Sequence, residues 1–336
     1  MGPYETGFAP DAAAARRARS AAALRTQLET LQTETVTGQA ADPATRLRGQ
    51  TAEALRLGAS LDAIAGYREA GELAAARAAT QQTTIATVRS AVESLGSDVQ
   101  SALDTAFDLG VALTEKPAEN ALETVVSALN TAFAGRMLFS GNAGTTPALA
   151  DAETIATAVG VAAATGTTAA TADAAVRALF DTPGGDFETT FYTGGTGDAP
   201  ATAIAEGETV RITLRADEQV FRDILREISA IGAAVAAPGT VEERRALAEA
   251  GLEGLRNTLA PLASVAGQIG VTEARIEEVQ TRSRAEETVL NDALTALVGR
   301  DQFEAASALT ATEDAIEALF VTTARISNLT LTNFLR

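Results

Sequence analysis

The stretch DAAAARRARSAAALRTQLETLQTETV, Asp11–Val36, decides the fold. It contains no Pro or Gly, and Ala, Leu, Arg, Glu and Gln, all strong helix formers, dominate it. Leu24, Leu28, Leu31 and Thr35 step by four, three and four residues, the a/d spacing of a coiled coil. Thr37-Gly38 ends the helix, and Asp42-Pro43 offers an N-cap and a first-turn proline for the next one. The basic cluster Arg16, Arg17 and Arg19 reads as a solvated face of this helix, with a docking or export contact as the alternative. One narrow apolar stripe on a long helix needs a second stripe to cover it.

The matching stripe lies at the other end of the chain. Ile316, Leu319, Thr323 and Ile326 step by three, four and three residues, with Phe320 and Leu329 on their flanks. Leu309 precedes them and Phe334 follows. The expected assembly interface therefore combines Leu24, Leu28 and Leu31 with Leu309, Ile316, Leu319, Phe320, Ile326, Leu329 and Phe334. Each large apolar side chain stabilises by about 2 kcal/mol when buried. Ordering the backbone costs about 1 kcal/mol or more for every residue. Segments with so sparse a stripe are expected to be mobile in the free monomer and helical once a partner covers them.

Inward from the ends, a second helical region is predicted from residue 43 to Leu113, with 3/4 spacing clearest from Ile85 through Val88, Val92, Leu95, Val99 and Leu103. Glu115-Lys116-Pro117 reads as a turn before a third helix over Ala118–Ala134, giving an antiparallel pair. After Phe139 the texture changes. Gly141-Asn142-Ala143-Gly144, Thr182-Pro183-Gly184-Gly185 and Thr193-Gly194-Gly195-Thr196-Gly197 are turn material. Phe187–Tyr192, and Thr209–Leu214 with alternating Val210, Ile212 and Leu214, read as strands, with one helix over Ala169–Phe180 between the turns. Helical texture resumes near Asp217, with breaks at Pro238-Gly239 and Gly299.

The fold class that follows is mainly α: a nested long-helix bundle of N- and C-terminal segments with a small inserted α/β domain. Residues 1–42 with 300–336 form the terminal coiled-coil domain, 43–140 with 215–299 the inner bundle, and 141–214 the inserted outer domain. The insert is bounded by turns and is expected to be dispensable for the bundle. A plain helical bundle with a lid is the simpler arrangement left open.

Composition narrows function. The 336 residues contain no Cys, His or Trp, and Lys116 is the single lysine. Ser-His-Asp and Cys-His nucleophiles are thereby excluded, and zinc, copper and iron–sulfur sites lose their usual ligands. With three Tyr and eleven Phe, a carboxylate glycosidase lacks the aromatic platforms that sugars stack on. Neither Gly-rich turn matches GxxxxGK[ST], so phosphate loops are not indicated. No catalytic residue, metal or cofactor is expected. A formal charge of −18 disfavours nucleic acid and anionic membrane as partners. Thr154–Ala172 is uncharged but built of Ala, Thr and Gly, too weakly apolar for a membrane span. Met1–Pro10 has no signal-peptide pattern.

Three dispersed segments resemble the flagellin family, in particular its hook–filament junction proteins. Thr37–Pro43 resembles the turn after the first flagellin helix. Asn130–Asn142, NTAFAGRMLFSGN, is similar to the segment that leaves the core, a Gly-Arg-aromatic-Leu-Phe-Ser-Gly pattern with Met137 at the aromatic position. Ala315–Arg336 is similar to the C-terminal helix of the junction proteins. The non-helical look of Met1–Pro10 departs from the family, whose helix begins almost at once. The resemblance implies a subunit exported through the flagellar type III pathway without a cleaved signal, acting outside the cell. Its implied partners are other copies in a ring, a neighbouring hook-associated protein, flagellin, and an export chaperone at the C-terminal helix. Filament flagellin and a non-flagellar coiled-coil binding module are the rival readings.

Overall fold

The computed structural model describes residues 10–42, 51–105 and 109–334, with side chains from residue 14 to residue 326 within those spans. Among the described residues the helices are α1 (Pro10–Thr37), α2 (Thr51–Thr105), α3 (Glu115–Leu129), α4 (Ala152–Thr165) and α5 (Ala169–Asp181). They continue with α6 (Gln219–Ala234), α7 (Val241–Asn257), α8 (Leu259–Val298) and α9 (Gln302–Phe334). Two antiparallel hairpins add β1 (Ala132–Phe133) to β2 (Arg136–Met137) and β3 (Thr202–Ala205) to β4 (Glu208–Val210). The fold is mainly α, a bundle of long helices with a small strand-containing region, as the periodicity predicts. It forms two compact units, residues 1–65 with 284–336 and residues 66–283. The boundaries expected at 42 and 300 fall inside the first unit.

In the second unit, α6 is the hub. It packs on α3, α4, α5 and α7, so Val220, Phe221, Ile224, Leu225, Ile228, Ile231 and Ala234 are all buried. Glycines on α7 permit that closeness. A Cβ on Gly251 would come within 2.7 Å of Ile231 Cγ1, and one on Gly254 within 2.5 Å of the Glu227 carboxyl carbon. Glu227 is 2% exposed. Its carboxylate accepts hydrogen bonds from Arg177 Nη1 at 2.8 and 2.9 Å and from Arg226 at 3.0 and 3.1 Å. Burial pulls the Arg177 pKa down, but the hydrogen bonds to Glu227 and Asp173 outweigh it and hold the guanidinium above its ordinary value. A charge this deep is tolerated because it is fully paired.

The segment Asn130–Asn142 is a structural clamp. Asn130 brackets the backbone of Leu149, donating from Nδ2 to its carbonyl at 2.9 Å and accepting from its N–H at 2.8 Å. Ala134 (φ 48) and Gly135 (φ 76) turn β1 into β2, both left-handed as a two-residue hairpin turn requires. Gln81 Nε2 donates to the Leu138 carbonyl at 3.1 Å in the buried interior. Phe139 meets Phe221 edge-on, with centroids 6.1 Å apart. Gly141 (φ +58) lies so close to the Gly197 carbonyl that a Cβ would strike it. Asn142 N donates to that carbonyl at 2.8 Å, and Gly195 N to the Ser140 carbonyl at 2.9 Å. The two Gly-rich turns therefore hold each other.

Several local expectations are corrected. Glu115-Lys116-Pro117 is the first turn of α3 rather than a turn before it, because a proline there removes an N–H that has no helical partner anyway. The third helix ends at Leu129, not Ala134, giving way to β1 and β2. Phe187–Phe191 is a short π-helical turn that buries both phenylalanines, and the extended pairing is reduced to a single bridge of Tyr192 with Leu149. The strand expected over Thr209–Leu214 is shorter, Glu208–Val210, and its partner β3 went unpredicted. The helix α4 was also unpredicted, although Asp151 caps it by accepting from Thr154 N at 2.7 Å. A further break separates α7 from α8 at Thr258, just before Pro261.

The region 141–214, expected as a separate insert, shares one core with the surrounding helices. Ile155, Val159, Val176, Phe180, Phe187 and Phe191 belong to the same buried cluster as Leu122, Val125, Phe221 and Leu225.

Candidate assembly surface

The candidate surface is built on α1 and α9, which pack together in the first unit. Gly38 (φ +67) closes α1 in the left-handed conformation, its N–H donating to the Glu34 carbonyl at 2.9 Å. Gln39 then forms an antiparallel bridge with Gly299. Ala40 N donates to the Val298 carbonyl at 2.9 Å, and Arg300 N to the Gly38 carbonyl at 3.0 Å. Asp301 caps α9, its Oδ1 accepting from Phe303 N at 2.8 Å and Glu304 N at 3.2 Å. The end of α1 is thereby locked to the start of α9, and the helices run in opposite directions. Farther along, the Arg25 guanidinium lies 6.0 Å from the centroid of Phe320.

An ion pair seals the locked end. Arg300 Nη1 lies 3.2 Å from Glu34 Oε2, and Glu34 Oε1 accepts from Ala41 N at 3.0 Å. Glu34 is 5% exposed. Glu34 and Arg300 were not among the residues singled out from the sequence. Their signal would have been a charged residue at a stripe position, Glu34 following Leu31 by three.

The sequence-predicted residues divide. Leu31 is buried, while Leu24, Leu28, Leu309, Ile316 and Leu319 are half-buried. With Ala305, Thr312 and Thr323 they mark the less exposed side of each helix. Phe320 and Ile326 lie off that side, 53% and 41% exposed. The side chains of Leu329 and Phe334 lie outside the described residues. The buried threonine keeps its hydroxyl satisfied locally: Thr312 Oγ1 donates to the Ala308 carbonyl at 2.8 Å.

The unit as a whole leaves large apolar side chains uncovered: Val36, Leu55, Val289, Phe303, Phe320, Val321 and Ile326 are all exposed. Exposed apolar area of this kind, repeated along helices, is the signature of a surface completed by another molecule. Among the described residues no helix is long and apolar enough to cross a membrane, and no cluster of carboxylates could hold a metal ion.

No family model matches the chain, and no curated protein matches it in sequence. Solved structures do. The chain is similar to a protein assigned as flagellar hook-associated from Vibrio parahaemolyticus, with a TM-score of 0.55 at 16% identity, covering 73% of this chain and 95% of that one. It is also similar to FlgL from Bacillus cereus, with a TM-score of 0.53 at 13% identity, covering 71% of this chain and 99% of that one. At such identities the likeness is one of fold.

Proposed function

We propose that this chain is a structural subunit of the bacterial flagellum that joins hook to filament as a ring of junction subunits. The observation that carries the reading is the fold, which two flagellar proteins share over almost their whole length. It is supported by the paired terminal helices, whose exposed Phe303, Phe320, Val321 and Ile326 suit burial against further copies. In this reading residues 1–42 with 300–336 are the assembly domain. Copies contact one another through α1 and α9, and flagellin and a neighbouring hook-associated protein flank the ring. The chain reaches the outside of the cell through the flagellar type III pathway, with an export chaperone holding the C-terminal helix beforehand. It carries no catalytic role.

Deleting the gene in a flagellated host tests this. The expected phenotype is a non-motile cell whose hooks are complete and whose culture medium contains monomeric flagellin, restored by a plasmid copy. Deletion that leaves filaments intact would refute the junction role. Purified protein that grows into long filaments on seeding would assign it instead to the filament.

A further inference from the structure

In the second unit, most arginines have an acid. Arg177, Arg215, Arg226, Arg245, Arg275 and Arg282 each form an ion pair with Asp or Glu. Arg77 on α2 and Arg136 on β2 have none; neither do Arg244 and Arg256, but these donate to the Val235 carbonyl and to Gln100 Oε1. Arg77 Nε is buried without a hydrogen-bond partner. Its pKa is held below the ordinary arginine value, first by burial and then by the positive charge of Arg136. Two guanidiniums that oppose one another, one of them half-buried, are a cost the free fold does not offset.

Both line a pocket of ≈ 220 Å³ whose other walls include Leu73, Phe133, Leu138 and Pro200. None of its lining residues is Asp or Glu. The backbone is shaped around Arg136. Gly144, at φ +35, passes so close to that guanidinium that a Cβ would come within 2.6 Å of Nη2. A fork of planar donors with apolar walls and no internal counter-charge fits the carboxylate and methylene stem of an acidic side chain.

We propose that the Arg77–Arg136 pocket receives a carboxylate side chain of a second copy of this chain. The inference rests on the reading of the chain as a self-assembling subunit. Charge complementarity selects a second copy: at a net charge of −18, its surface is rich in unpaired carboxylates. Glu115 and Glu123 on α3 are examples, exposed and in no ion pair. Docking such a group sets a counter-charge beside the two arginines and offsets their repulsion.

The test uses cells that lack the gene and carry plasmid copies of wild type, Arg77→Gln or Arg136→Gln. The fraction of the chain retained in purified flagella, against that in the medium, is measured for each. Each variant is expected to be retained roughly tenfold less than wild type or worse. Its free monomer should melt at an unchanged or higher temperature, because a like-charge contact has been removed. A photo-crosslinking amino acid at Leu73, 56% exposed on the pocket rim, should yield an adduct of two copies of this chain. Equal retention of wild type and variants, or a lowered melting temperature, overturns the proposal. An adduct with a different protein overturns the second copy as occupant. Wild-type chain missing from flagella altogether is a separate result, which removes the assembly reading itself.

Discussion

The terminal helix pair and the inner unit are made of similar residues and differ in how far they enclose them. Around α6, Phe221, Ile224 and Leu225 are covered from every side by four other helices, each gaining about 2–3 kcal/mol. In the first unit the buried apolar residues among those described are Leu31, Ala40, Ile64, Val298 and Ala305, and two of these are alanines. The exposed ones there include Phe303 and Val36, each 84% accessible. Around α6 the chain encloses its own core, whereas among the described residues of the first unit more large apolar side chains are exposed than buried. That difference separates residues whose substitution unfolds the molecule from residues whose substitution disturbs only what it joins.

The largest expected effect breaks the inner unit. Replacing residues 141–214 by a short Gly/Ser linker should abolish its cooperative melting, because Phe180, Phe187, Phe191 and Ile155 leave the shared core with it. A cooperative helical transition that survives, followed by circular dichroism, would restore the region as a separable insert. Next in size, Glu227→Ala should destabilise by about 3–5 kcal/mol, since Arg177 and Arg226 are left without the charge they share. Chemical denaturation measures this, and a loss below ~1 kcal/mol would show that the network is solvated. Gly254→Ala pushes a methyl group onto that carboxylate and should cost about 1–3 kcal/mol. In the terminal pair, Leu31→Ala should leave the main melting transition of the free chain within about 0.5 kcal/mol, far below the 2–5 kcal/mol of a packed core leucine. A full core-sized loss there would erase the contrast between the regions.

The parts legible in the sequence are those where one residue type repeats at one spacing. The stripe of Leu24, Leu28 and Leu31, the Gly38 stop and the break at Gly299 were all readable, because helix periodicity and a left-handed cap are local. The helix over Ala169–Asp181 was readable for the same reason. Strand assignments failed at Phe187 and Phe191, where two aromatics four apart serve a π-turn that buries both on Phe180. The many Thr and Ala residues of 154–165 hid α4, whose short stripe of Ile155, Val159 and Ala163, four residues apart, is buried where the helix packs on α3, α5 and α6. In the candidate surface the stripe was visible, but Glu34 and Arg300 were not, because their pairing joins opposite ends of the chain. Phe320 and Ile326 have the right spacing to lie near the stripe, yet the structure leaves them outside it.

Amide hydrogen exchange tests the central claim most directly, measured on the full chain free in solution and again in purified flagella. The account predicts that amides from Leu24 to Leu31 and from Leu309 to Thr323 exchange at least roughly a hundredfold more slowly in flagella than in the free chain, while those of α6 are equally protected in both. Equal, strong protection of α1 and α9 in a verified monomer would contradict it, making the terminal pair ordinary core rather than a surface completed by assembly.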